Sequence, residues 1–77
     1  MTIEAFTRNL ELEFEEITPG TLTPSTNYRE IEGWSSMHAL IVIAFIDTHY
    51  DLILNAAELK QTQTILDLYT LVQSKIN

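Results

Sequence analysis

The chain has 77 residues, no cysteine, and 11 acidic against 4 basic residues, a net charge of −7 at pH 7. That length gives a single domain, 1–77, with a core too small to enclose a deep active site, and the lack of cysteine removes disulfides, thiolate nucleophiles and zinc knuckles. The acidity argues against nucleic acid and against an anionic membrane surface, and leaves either simple solvation or attraction to basic partner surfaces.

At the N-terminus, Met1-Thr2-Ile3-Glu4 has no basic segment leading into an apolar stretch, so no secretory leader is expected. Ile3, Phe6, Leu10, Phe14 and Ile17 then recur at steps of three and four, the stripe of an amphipathic helix. Thr2 is placed to cap it, and Thr18-Pro19-Gly20 to stop it. Glu11, Glu13, Glu15 and Glu16 crowd its end and read as a solvated acidic face, since the glycine-centred calcium-loop pattern is absent.

Residues 18–35 hold both prolines and both glycines. A connection of that length is unusual in a compact domain and is often functional. Leu22, Tyr28, Ile31 and Trp34 are expected to pin it to the bundle.

Gly33-Trp34-Ser35-Ser36 opens the next element. Its apolar run, Ala39 to Ile46, is eight residues long, far below the ~20 of a membrane span, so no span is expected and the protein reads as cytoplasmic. The β-branched residues also suit a strand. No other segment alternates, and a lone strand is not a stable element, so the spacing predicts helix. At about 100° per residue, Ala39, Val42, Ile43, Ile46 and Tyr50 form one stripe. Met37, Leu40, Ile41, Ala44 and Thr48 lie roughly opposite, with Ser36 and Asp47 on one flank and His38 and His49 on the other. A helix apolar nearly all round is either central or docked. One stripe is therefore a candidate partner surface, unless the long loop covers it.

Asn55-Ala56-Ala57-Glu58 has the spacing of a capping box and predicts a short helix over about 56–61. Thr64-Ile65-Leu66-Asp67 repeats the pattern, and Ile65, Leu68, Val72 and Ile76 give the stripe of a last helix. The fold class is all-α: a small four-helix bundle with three longer helices, one short one, and a long first connection.

Little points to catalysis or metal. His38 and His49 sit ~16 Å apart along one helix and cannot chelate one ion. No serine has a histidine and a carboxylate partner at a suggestive spacing, and Ser36 and His38, two apart on a helix, do not face each other. No catalytic residue and no metal ligand is assigned. Ser36 is the informative position: a hydroxyl where unsatisfied helix amides favour an anion, or simply an N-cap, which is the common role of serine there.

Four pieces in order carry a resemblance. They are Phe14-Glu15-Glu16-Ile17, Tyr28-Arg29-Glu30-Ile31-Glu32-Gly33-Trp34, Ser35-Ser36-Met37, and Thr64-Ile65-Leu66-Asp67-Leu68. Together, over essentially the whole length, the chain resembles the acyl carrier protein family, in which the third piece reads Asp-Ser-Leu or Asp-Ser-Met and the last Thr-Ile-x-Asp-Leu. The resemblance implies a four-helix bundle of acyl carrier type that is not itself an enzyme. It implies a 4'-phosphopantetheine arm, donated by coenzyme A, on Ser36. Expected partners are a phosphopantetheinyl transferase and acyl-transferring or ketosynthase-type enzymes in fatty acid, polyketide or related biosynthesis. An aminoacyl, peptidyl or D-alanyl carrier and an unmodified, carrier-shaped interaction module are the alternatives. A monomer is expected.

Two departures bear on this. Ser35 stands where the family has aspartate, which predicts slow modification or a dedicated transferase. The expected partner face of Met37, Leu40, Ile41, Ala44, Asp47 and Thr48 is less acidic than in relatives, with Ile41 where an acidic residue is common. That composition predicts docking through apolar contact more than through charge.

Overall fold

The computed structural model describes residues 2–76; Met1 and Asn77, the ends of the expected 1–77 domain, lie outside the described residues. The described residues form an all-α bundle of four helices: α1 (Ile3–Glu11), α2 (Ser36–Tyr50), α3 (Ala56–Lys60) and α4 (Ile65–Ile76), with a 3₁₀ turn at Tyr28–Glu30 in the long connection. No helix among the described residues is long and apolar enough to cross a membrane.

The local start signals act as their spacing predicts. Thr2 Oγ1 accepts from the Ala5 amide. Asn55 and Glu58 exchange side-chain bonds with each other's amides at 2.8 and 3.2 Å. Thr64 Oγ1 accepts from the Asp67 amide, while the Asp67 carboxylate accepts from the Gln63 and Thr64 amides. Each pair satisfies donors that a helix start leaves open.

The first helix is shorter than its periodicity suggests. It ends at Glu11, not at the Thr18-Pro19-Gly20 stop. Beyond it the amides of Glu13, Phe14 and Ile17 bond to carbonyls three residues back, a series of tight turns. Those turns still bury Phe14 and half-bury Ile17, so the stripe is kept as burial after it is lost as helix. The acidic cluster also differs from expectation. Glu13, Glu15 and Glu16 are exposed, but Glu11 is buried at 2% exposure. Its carboxylate accepts from the Gly20 and Leu22 amides at 3.0 and 2.8 Å and pairs with Arg8 at 3.0 Å. Arg8 in turn donates to the Leu22 carbonyl at 2.8 Å. Gly20 turns the chain there at φ +92°, a conformation glycine adopts without steric cost.

The connection is pinned as expected: Leu22 and Tyr28 are buried, and Ile31 and Trp34 pack on the core. It is also sewn to the start of α4. The Tyr28 amide donates to the Gln63 carbonyl, and the amides of Ile65 and Leu66 donate to Thr26 and Pro24. The Tyr28 hydroxyl bonds Thr62 within the core.

The core gathers Phe6 and Leu10 of α1, Val42, Phe45 and Ile46 of α2, Leu59 of α3, and Ile65, Leu68 and Val72 of α4. The stripe Ala39, Val42, Ile43, Ile46 and Tyr50 does face inward. Phe45 joins it, although it lies in neither predicted stripe. Ile76, the last member of the α4 stripe, remains half exposed.

Candidate functional site at the start of the second helix

Ser35 takes an extended conformation (φ −143°) as the N-cap, and Ser36 is the first residue of α2. Ser36 is exposed, and its hydroxyl makes no hydrogen bond among the described residues. Ser35 and Ser36 together line a cavity of about 500 Å³ between α2 and α3. Ala39, Leu40 and Ile43 of α2 and Leu59 of α3 give it an apolar wall. Arg29 and Lys60 line it as well. Arg29 is held in place by bonds from its guanidinium to the Lys60 and Thr62 carbonyls at 3.0 and 3.3 Å.

The proposed partner face has the following disposition. Met37 and Leu40 are 67% and 64% exposed. Ala44, Asp47 and Thr48 are exposed, whereas Ile41 is only partly so and packs against the core. The long loop does not cover this face. It covers the His38 flank instead, where Phe14 and Trp34 stand against the imidazole at centroid distances of 5.6 and 5.2 Å.

His38 is therefore more than a surface histidine. Its Nδ1 lies 2.9 Å from Ser35 Oγ and accepts from the Ser35 amide at 3.2 Å. Its Nε2 lies 2.8 Å from Glu16 Oε1. The backbone amide of Glu16 and then the His38 bond hold the Glu16 carboxyl below the usual carboxylate range. This serine–histidine–glutamate contact has no counterpart in the spacing, because Glu16 and Ser35 belong to different segments. Only the capping-box spacing of Ser35 and His38, with histidine in place of glutamate, was there to be read. His49 is exposed and lies against Phe45 of its own helix at 4.6 Å.

The fold and this site define a small helical bundle with an exposed serine beside an apolar cleft. No protein-family model, no curated protein and no solved structure matches the chain.

Proposed function

We propose that the chain is an acyl carrier protein that bears 4'-phosphopantetheine on Ser36. The observation that carries the reading is the unengaged, exposed Ser36 hydroxyl on the wall of an apolar cavity of about 500 Å³, a size in the usual range for ligand sites. The motif order along the sequence supports it as well. The residues present fit the group: a hydroxyl open to esterification, helix amides that favour a phosphate, a cationic pair in Arg29 and Lys60, and an apolar wall beside them.

When bound, the group supplies a terminal thiol that holds an acyl chain as a thioester. The chain's own residues do the rest. Ser36 anchors, and the position of Ser36 at a helix start fixes the direction in which the arm leaves. Ala39, Leu40, Ile43 and Leu59 offer a water-poor surface for an acyl tail. Met37, Leu40, Ala44, Asp47 and Thr48 present the face on which enzymes dock, and tethering raises the local concentration of cargo there.

The test is intact-protein mass after incubation with coenzyme A, magnesium and a broad-specificity phosphopantetheinyl transferase. Wild type is expected to gain one phosphopantetheine and Ser36→Ala none. Addition to both proteins would remove Ser36 as the site. No addition by any transferase, with partner binding retained, would favour the unmodified interaction module.

The composition of the docking face yields a second expected outcome. Raising salt from low to moderate ionic strength leaves the Kd for a docking enzyme within about twofold, because apolar contact is not screened. A tenfold loss would show that charge carries the contact.

A further inference from the structure

The hydrogen bonds around His38 decide where its proton lies. A backbone amide only donates, so the bond from the Ser35 amide requires a lone pair on Nδ1. The ring proton of the neutral imidazole is then on Nε2, directed at Glu16 Oε1 2.8 Å away. The Ser35 hydroxyl, 2.9 Å from Nδ1, donates to the same lone pair. This is the arrangement an activated serine needs: a base in contact with the hydroxyl, and an acid that orients the base. Phe14 stacks on one side of the ring and Trp34 leans on it as well, so its plane is held.

Two further features suit acyl chemistry. The amides of Ser36 and Met37, which open α2, have no acceptor within the helix and follow the nucleophile directly, as donors for a developing oxyanion do. Ser35 also lines the apolar cavity between α2 and α3, which gives an acyl tail a place beside the hydroxyl.

We propose that Ser35, His38 and Glu16 form a nucleophilic site that accepts acyl groups from activated esters and thioesters. Ser35 Oγ bonds to the acyl carbon as the bond from that carbon to the leaving oxygen or sulfur breaks. The Ser35 proton passes to His38 Nδ1 and from there to the departing alcohol or thiol. The product is an ester on Ser35, which water cleaves by the same proton route to regenerate the hydroxyl. Glu16 touches neither substrate nor reacting atoms and acts as a positioning residue. This activity stands apart from the carrier reading, since it requires no arm on Ser36.

The experiment uses unmodified protein and p-nitrophenyl butanoate. Release of p-nitrophenolate is followed, the quenched protein is weighed, and the acylated residue is located by peptide fragmentation. One butanoyl group on Ser35 is expected, with none on Ser35→Ala. Glu16→Gln, a change at an exposed side chain whose fold is to be checked by circular dichroism, is expected to slow release about a hundredfold. Its Michaelis constant should stay the same, because the effect enters through the imidazole. Ser74→Ala, at an exposed hydroxyl on α4, should match wild type. Release at the rate of free imidazole, a label on Ser36 or one that persists in Ser35→Ala, or an unchanged rate in Glu16→Gln would each overturn the proposal. Turnover without an accumulated ester supports it only if Ser35→Ala and Glu16→Gln both abolish or slow that turnover as stated.

Discussion

Replacing Phe6 with alanine should cost about 3–5 kcal/mol of folding stability. Phe6 is fully buried on α1 and is the point where three helices meet. Its ring lies 5.8 Å from Phe45 and 5.7 Å from Tyr50 of α2, and 5.5 Å from Tyr69 of α4. The packing is edge-on against Phe45 and Tyr69, the favoured geometry for aromatic pairs. Alanine removes the ring and leaves a cavity that the surrounding rings cannot all fill. A domain of this length holds only about 4–12 kcal/mol in total, so the variant should melt at least about 15 °C lower. Urea titration followed by far-UV circular dichroism measures the change. A loss below about 1 kcal/mol would mean that the three aromatic neighbours close over the gap and that Phe6 does not join the helices.

The second large effect is expected at Glu11. A buried carboxylate is costly unless its lone pairs are satisfied, and here amides from Gly20 and Leu22 and the Arg8 guanidinium satisfy it. Burial acts to raise its pKa, but the bonds from Leu22 and Gly20 and the charge of Arg8 outweigh it and hold the carboxyl below its ordinary value. Glu11→Ala leaves those donors without an acceptor and should cost about 2–4 kcal/mol. Glu11→Gln keeps the size but turns an amide donor toward backbone donors, so it should recover little of the loss. The pH dependence has a definite sign. A group whose folded pKa is depressed contributes stability that is full above its unfolded pKa and is lost as pH falls through the folded one. Wild type should therefore lose stability below about pH 4.5, and Glu11→Gln should lose less over the same interval. Parallel curves for the two proteins would show that the loop clasp does not depend on the charge.

What was legible in the sequence was local. The capping pairs Asn55–Glu58 and Thr64–Asp67 are contained within four residues, and they form where the spacing puts them. Helix content followed from period and from the absence of any strand mate. The length of α1 was not legible, because tight turns after Glu11 carry Phe14 inward at the same spacing a helix would. Phe45 was missed because α2 is apolar on nearly every side, so its sequence has no strong phase to say which residues face the core. The buried role of Glu11 depends on Gly20 and Leu22 returning to it. The His38–Glu16 contact likewise joins residues that meet only after the connection has folded. For the candidate site, the position of Ser36 could be read, but the engagement of Ser35 could not.

The stitching between the long connection and α4 also bears on how the chain reaches this fold. Asn27 and Thr64 form a bridge across the middle of the sequence, and the amides of Tyr28, Ile65 and Leu66 close around it. Such distant pairings form only after a large loop has been closed, and helical proteins that depend on them fold more slowly than those built from neighbouring hairpins. Here the connection cannot reach its final form before the C-terminal helix has started, because Thr62, Gln63, Ile65 and Leu66 complete its bonding. On a ribosome, the ordered loop that presents Ser35 and Ser36 thus arises only after the chain has emerged as far as Leu66.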